Sequence, residues 1–272
     1  MTDVPLSARR WVERAARAGY AAKGVVYLII GVLAVQAAAG AGGRTTGTSG
    51  VLHVIVRQPA GRWLLALAAI GLAGYAAWRA WCAAFDPMHP GRRDLKRAAV
   101  RVGYLLSAIV HGALAREAAR LALGRSGGAA GVDDADRWTG RLLAAPFGPW
   151  LVAIAAAGVA GYGVAQIVKG IRGRGVQPMD GTGTGPEVRH GLERAARVGH
   201  IARGLVFGIM GWFLARAALR HDPSEAGGLG EALEELAGQP YAPVLLGGVA
   251  LGLAAYGAYQ LALARWAVVR TA

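Results

Sequence analysis

The sequence has one cysteine, Cys82, and few charged residues. A single thiol excludes an internal disulfide and a cysteine-based metal cluster. Charged residues make up 17% of the chain, whereas 54% is apolar and the mean hydropathy is +0.36. An ordinary soluble domain has about 25% charged residues, so this composition argues against one. It predicts a protein that lies in the lipid bilayer.

The sequence also lacks the motifs that carry common enzyme chemistry. It has no Walker loop, no G-x-S-x-G, no H-E-x-x-H and no paired carboxylates inside an apolar segment. Catalysis is therefore the function class that the sequence favours least. No motif names a cofactor either, and no catalytic residue or metal-ligand set is predicted.

Six apolar stretches account for the high hydropathy. With interfacial extensions, each approaches the roughly 20 residues that a helix needs to cross about 30 Å of hydrocarbon. Continuous apolar segments predict helices, since backbone polar groups must be satisfied within the membrane. The stretches are 21–40, 63–83, 102–115, 142–168, 198–215 and 243–264. The fold class predicted is an all-α membrane protein with six transmembrane helices.

The basic residues are unevenly distributed between the two ends of these helices. With a cytoplasmic amino terminus, 20 of the 30 basic residues lie on the inner side and 10 on the outer side. This positive-inside pattern predicts a multi-pass protein of the cytoplasmic membrane with both termini cytoplasmic. It also explains the net charge of +14 without a nucleic-acid partner. Membrane lipids are the expected partners, with anionic headgroups at the inner face.

The chain contains an internal repeat. ERAARAGYAAKGVVYLIIG, residues 13–31, recurs at 193–211 with 11 of 19 positions unchanged, and a more divergent copy begins near Arg101. The first copy resembles a signal peptide, but its internal recurrence predicts an uncleaved span. The second helices share Pro, Gly and Tyr at fixed offsets. We therefore expect three parallel two-helix repeats with pseudo-threefold symmetry about the membrane normal. Their bounds are 8–86, 92–172 and 188–268.

These motifs resemble the uncharacterised bacterial membrane family catalogued as domain of unknown function 1206, whose proteins carry three copies of a two-helix module. The resemblance covers nearly the whole chain. It rests on an A-R-x-G-Y start and on G-x-x-G-Y in the second helix, from Gly71 to Tyr75 and from Gly158 to Tyr162. Ala255 replaces the second glycine in the third copy. The family has no established activity, so the resemblance implies the fold and not the function.

Polar and aromatic residues form stripes at helical spacing on both helices of each repeat. Helical rise places Tyr20 and Lys23 roughly 5 and 9 Å inside the inner interface, and Tyr75 one turn above Arg79. The candidate polar cluster consists of Tyr20, Lys23, Tyr104, Ser107, His111, His200, Arg203, Tyr75, Arg79, Tyr162, Gln166, Tyr256 and Gln260. It either lines a polar vestibule that opens to the cytoplasm or forms hydrogen bonds that hold the helices together.

His111 lies near the bilayer midplane, where the other repeats have Tyr27 and Phe207. An ionisable group at this depth is a functional candidate, because imidazole can relay protons or ligate a metal or haem. The structural alternative is a neutral histidine that is hydrogen-bonded to a neighbouring helix.

Three functions fit these observations. A non-catalytic scaffold or accessory protein is favoured, since it requires only the basic cytoplasmic face. The alternatives are a small transporter or pore on the pseudo-threefold axis, and haem or quinone binding through His111 or His200. The sequence identifies no substrate, partner protein or oligomeric state, and it does not say whether the axis is hollow.

Overall fold

The computed structural model describes residues 6–85, 95–125, 135–173 and 185–266, and every regular element in these ranges is a helix. The all-α prediction is thus confirmed. The α-helices are α1 Leu6–Ala38, α2 Thr48–Val56, α3 Gly61–Phe85, α4 Leu95–Ala122, α5 Ala135–Leu143, α6 Gly148–Arg172, α7 Pro186–Arg220, α8 Leu229–Ala237 and α9 Ala242–Trp266. A 3₁₀ turn at Pro223–Glu225 follows α7.

Five helices in the described ranges are long and apolar enough to cross a membrane. They are the Arg17–Ala38 part of α1, together with α3, α6, α7 and α9. Each overlaps one of the predicted apolar stretches, which supports a multi-pass membrane protein. The sixth stretch, 102–115, lies within the 28 residues of α4, and its crossing stays a prediction.

The predicted stretch 142–168 begins too early. Leu143 ends α5, and α6 starts at Gly148 after a turn. Phe147 in this turn has φ 60°, a left-handed conformation that cannot continue a helix. The apolar sequence therefore continues across a turn that separates two helices, and hydropathy alone does not detect this turn.

Each repeat contains a short helix before its second span. These are α2, α5 and α8, each of nine residues, and each ends five residues before the next long helix begins. Of the three, only α8 has a helical pattern that can be recognised in the sequence, in the acidic segment 230–236. Nine residues form about two and a half turns, too few for a clear helical period.

The chain divides into two compact units. The first unit comprises residues 1–19, 52–132 and 269–272, and the second comprises 20–51 and 133–268. Helix α3 packs antiparallel to α4 in the first unit, around a core of Leu52, Leu65, Ala69, Leu114, Ala118 and Leu121.

Helix α3 of the first unit ends in a cap provided by α4. Arg101 donates hydrogen bonds from Nε to the carbonyl of Ala83 and from Nη2 to the carbonyl of Ala84, each 2.7 Å long. Carbonyls in the last turn of a helix have no partner within it, so this arginine satisfies two of them.

In the second unit, small residues bring the helices into close contact. Helix α6 packs on α7, α7 on α9, and α9 on α1. A Cβ atom placed on Gly163 would lie 2.8 Å from the carbonyl oxygen of Gly204, and one on Gly31 would lie 2.5 Å from the nitrogen of Ala254. Only glycine permits such an approach of two backbones.

Three helix pairs cross the boundaries between the repeats. These are α3 with α4, α6 with α7, and α9 with α1. Each pair combines the second long helix of one repeat with the first long helix of another. For the first two pairs the cause is connection length: α3 and α4 are nine residues apart, whereas α1 and α3 are separated by 22 residues that include α2.

Candidate functional site

The guanidinium group of Arg203 lies at the centre of a polar cluster in the second unit. It donates a 2.7 Å hydrogen bond from Nη1 to the Tyr256 hydroxyl of α9. Nε donates to the Tyr27 hydroxyl of α1 over 3.2 Å, and Nη2 to the Tyr162 hydroxyl of α6 over 3.3 Å. We call Arg203 and these three tyrosines the tyrosine cage. One side chain of α7 thus connects three other helices.

Aromatic rings surround the same guanidinium group. Its central carbon lies 4.5 Å from the ring centroid of Tyr256, 5.2 Å from that of Tyr27 and 5.6 Å from that of Phe207. The Tyr27 and Tyr256 rings meet edge to face at 5.1 Å, and Tyr162 meets Phe207 in the same way at 4.9 Å. Cation–π contacts of this kind strengthen when water is excluded, so the rings stabilise the charge as well as the packing.

Glutamine and histidine side chains border the cage. Gln260, one turn after Tyr256 on α9, donates a hydrogen bond from Nε2 to the Tyr256 hydroxyl. The His200 ring meets the Tyr256 ring edge to face at 5.4 Å. Gln166 holds the corresponding position on α6, one turn after Tyr162, and is 2% exposed. Among the described residues, its Nε2 atom has no hydrogen-bond partner.

The remaining two predicted residues of the second unit lie on α1. Tyr20 packs against an apolar cluster formed by Ala196, Tyr256, Tyr259 and Leu263. Lys23 is half-buried, one turn before Tyr27 on the same helix face.

The first unit has a related cluster between α3 and α4. Arg79 donates a 2.7 Å hydrogen bond from Nε to the Tyr75 hydroxyl, and its guanidinium carbon lies 5.1 Å from the ring centroid of Tyr104. The Tyr75 ring lies 4.6 Å from the ring of His111. We call these residues, together with Ser107, the α3–α4 cluster.

His111 is hydrogen-bonded to its own helix. Its Nδ1 atom lies 2.7 Å from the carbonyl oxygen of Ser107. A carbonyl can only accept, so Nδ1 carries the hydrogen in this contact. This bond lies within α4, and the neighbouring helix contributes the Tyr75 ring; the predicted hydrogen bond to a neighbouring helix stays a prediction.

The second unit also contains an ion-pair cluster at the end of α7. Arg216 and Arg220 both donate hydrogen bonds to the carboxylate of Glu225 in the 3₁₀ turn. In the adjoining loop, hydrogen bonds from the Ser224 hydroxyl and backbone N–H lower the pKa of Asp222. These contacts fix the exit of α7 and leave the charges of this end paired.

The sequence matches the family Domain of Unknown Function (DUF1206) in three segments, residues 18–86, 102–173 and 198–267. The chain belongs to this family. It is 36% identical over 263 residues to the uncharacterized protein YxxB of Bacillus subtilis (strain 168), a similarity that covers 96% of this chain and 93% of that protein. No solved structure matches the chain.

Residues of the tyrosine cage come from all three DUF1206 segments. Tyr27 belongs to the first, Tyr162 to the second, and Arg203 and Tyr256 to the third. In the described part of the chain, no group of three or more His, Cys, Asp or Glu side chains could hold a metal ion. This DUF1206 site can therefore supply a fixed positive charge, hydroxyl donors and aromatic surface.

The structure brings the predicted polar residues together in two groups. Tyr162, His200, Arg203, Tyr256 and Gln260 meet in the second unit. The α3–α4 cluster unites the five predicted residues of the first unit. The predicted set omitted Tyr27 and Phe207, although both lie on the stripes, one turn after Lys23 and Arg203.

Proposed function

We propose that the protein is a non-catalytic scaffold or accessory protein of the cytoplasmic membrane. It has six spans, both termini in the cytoplasm, and a basic cytoplasmic face that contacts anionic headgroups or a partner protein. Its repeats, at 8–86, 92–172 and 188–268, are related by a pseudo-threefold axis along the membrane normal.

The observation that carries this proposal is that polar side chains of the long helices form hydrogen bonds with one another. Arg203 donates to three tyrosines, Gln260 to Tyr256, and Arg79 to Tyr75. The three Arg203 contacts join α7 to α1, α6 and α9, which is the role of polar side chains as interhelical links in membranes, whereas the other two lie within α9 and α3. A transport path would instead require such groups to face water.

The pairing of the helices supports the symmetric arrangement. Glycine or alanine occupies equivalent positions in all three pairs: Gly31 in α1, Ala115 in α4 and Gly211 in α7. A Cβ atom on Gly31 would lie 2.5 Å from the Ala254 backbone nitrogen, and one on Gly211 would lie 2.9 Å from that of Ala160. The same contact made in different repeats favours a common geometry.

The distribution of exposed charge supports the basic cytoplasmic face. Exposed basic residues lie at the predicted inner ends of α6 and α7, namely Lys169, Arg172, Arg189, Arg194 and Arg197. Each basic residue near an anionic leaflet contributes about 1 kcal/mol of attraction. Together they favour an orientation in which this end meets the cytoplasmic leaflet.

Labelling of single cysteines tests the topology. In a Cys82→Ala background, cysteine is introduced at one of three exposed positions: Arg44, Arg125 or Gly185. A membrane-impermeant maleimide should label Arg44→Cys and Arg125→Cys in intact cells, and Gly185→Cys only after permeabilisation. Labelling of Arg125→Cys only after permeabilisation would remove α4 as a span and overturn the six-span topology.

Flux measurements separate the scaffold from the transporter. Protein reconstituted in vesicles should leave imposed potassium and chloride gradients intact, and Lys23→Leu and Arg203→Leu variants should behave identically. A flux in the wild type that Arg203→Leu abolishes, without loss of the folded protein, would replace the scaffold with a transport function.

A further inference from the structure

We propose that the tyrosine cage is a binding site for a phosphate oxyanion, carried either by an anionic lipid headgroup or by free phosphate. The proposal relies on the proposed function only for the position of the cage in the cytoplasmic leaflet. Nothing in it requires a scaffold or excludes one.

The first step is charge. The guanidinium of Arg203 stays protonated in proteins. The helices that surround it contain no aspartate or glutamate in α1 from Tyr20 onward, in α6, in α9, or in α7 between Arg194 and Leu219. A cation within a membrane needs a negative partner, and these helices provide none.

The second step is hydrogen bonding. Each cage hydroxyl accepts from Arg203, so each still has an O–H to donate. The Tyr256 oxygen also accepts from Gln260, which fills both of its acceptor sites. Arg203 uses three of its five N–H groups in the cage. The cluster therefore has more donors than acceptors around one charge.

The buried amide of Gln166 is an independent sign of a missing acceptor. Gln166 is 2% exposed, and its Nε2 atom has no hydrogen-bond partner in the described part of the chain. It lies one turn after Tyr162, on the same face of α6. A buried donor is normally satisfied by protein, water or ligand, so this amide requires an acceptor that the described residues do not supply.

The third step is access. Tyr162 is 43% exposed and Arg203 is half-buried, so the cage is open on the side of α6. Arg203 lies six residues after Arg197, about 9 Å along the helix axis. A phosphate group at the leaflet surface can reach that depth, because arginine side chains extend toward the interface.

The fourth step is the choice of ligand. The cage contains side chains from α1, α6, α7 and α9 that still have hydrogens to donate. A tetrahedral oxyanion offers several acceptor oxygens at once, and arginine recognises phosphate with two parallel bonds. A halide would use one acceptor atom, and a carboxylate would present two. Phosphate therefore fits the donor set best.

The test measures binding to purified full-length protein in a neutral detergent. Phosphatidylglycerol, inorganic phosphate, phosphatidylcholine and chloride are added in separate arms. Retained lipid is counted by native mass spectrometry, and affinity is obtained from the ligand-dependent rise of the unfolding temperature. We expect saturable stabilisation by phosphatidylglycerol or by phosphate, and none by chloride. Stabilisation in the phosphatidylglycerol arm alone assigns the site to a lipid headgroup, and stabilisation in the phosphate arm assigns it to free oxyanion.

The variants test whether the cage is responsible. Arg203→Gln should weaken binding by about tenfold or more, since it removes a charge-assisted contact. Tyr162→Phe removes one cage hydroxyl, which accepts from Arg203 at a position that is 43% exposed, and it should weaken binding while leaving the fold intact. Arg194→Gln, which removes an exposed charge from the same helix, is the matched control and should bind like the wild type.

Two results would overturn the proposal: no stabilisation in either ligand arm, or equal losses in Tyr162→Phe, Arg203→Gln and Arg194→Gln. If the binding experiment fails, the membrane topology measured by cysteine labelling is unaffected. A wrong topology would leave detergent binding unaffected, so the two proposals fail separately.

Discussion

Equivalent positions of the repeats combine differently in the two polar clusters. In the α3–α4 cluster the cation is Arg79, on the second long helix of the first repeat. Ser107 comes from α4, the first long helix of the second repeat. In the tyrosine cage the cation comes from a first span, as Arg203, and a second span contributes Gln260. In both clusters a tyrosine of a second long helix accepts from the arginine, Tyr75 in one and Tyr162 and Tyr256 in the other. Each cluster thus holds one arginine against a constant hydroxyl.

Removal of the Tyr256 hydroxyl should destabilise the protein. Tyr256→Phe keeps the ring but leaves donors of Arg203 and Gln260 without their acceptor, in a side chain that is only 5% exposed. The expected loss is about 1 to 3 kcal/mol of unfolding free energy, measured by denaturant titration in mild detergent. Tyr241→Phe, at a position that is 74% exposed, is the control and should change little. Equal losses in both variants would contradict the role of the cage.

The equivalence of the repeats also predicts which substitution His111 tolerates. His111 packs on Tyr75 as Phe207 packs on Tyr162, with ring centroids 4.6 and 4.9 Å apart. The unfolding free energy of His111→Phe should therefore stay within about 1 kcal/mol of the wild-type value. That of His111→Ala should be lower by about a further 0.5 to 1.5 kcal/mol, because this substitution removes an aromatic contact.

The same variant tests the haem hypothesis without unfolding the protein. If His111 ligates haem, the visible absorption band of purified wild-type protein should disappear in His111→Phe. A colourless wild type, or a band that persists in the variant, would rule out this ligand.

At the scale of the helices, close packing depends on which glycines meet another backbone. On α7, Gly211 and Gly208 are one turn apart. A Cβ atom on Gly211 would lie 2.9 Å from both the Cβ atom and the backbone nitrogen of Ala160, whereas one on Gly208 would have no atom within 4 Å. Glycine is thus required at position 211, whereas a larger residue fits at position 208.

Alanine substitutions at these two glycines give opposite predictions. Gly211→Ala should destabilise the pair α6–α7 by about 1 to 3 kcal/mol, since well-packed helices must move apart. Gly208→Ala should be neutral or stabilising by up to about 1 kcal/mol, because alanine favours a helix. Unfolding in detergent measures both. A loss at Gly208 as large as that at Gly211 would contradict the described packing.

Hydropathy and repeat analysis predicted the helices better than their contacts. The long helices and the membership of Tyr162, Arg203 and Tyr256 in one polar set follow from helical spacing. The division into two clusters does not, since a stripe defines a face of a helix but not the helix that it contacts. The short helices α2 and α5 were missed because Thr48–Val56 and Ala135–Leu143 resemble a loop and the start of a span.

At the scale of the molecule, the contact between α9 and α1 joins the last span of the chain to its first. Gly24 and Gly31 of α1 meet Leu261 and Ala254 of α9. The chain is therefore closed within the second unit by helices from opposite ends of the sequence. Such non-local closure adds stability only after the intervening spans have been placed, because the loop it closes is long.

A disulfide tests this closure directly. A Cβ atom on Gly247 would lie 3.7 Å from the Cβ atom of Ala38, within the roughly 3.5 to 4.5 Å that a disulfide requires. In a Cys82→Ala background, Ala38→Cys with Gly247→Cys should form a cross-link upon mild oxidation. With a protease site inserted between Gly173 and Gly185, cleavage should leave one band on a non-reducing gel and two bands after reduction. Ala38→Cys with Gly248→Cys is the control, since a Cβ atom on Gly248 has no atom within 4 Å, and it should separate into two bands in both gels. Two bands for the test pair without reductant would show that the first and last spans are not neighbours in the membrane.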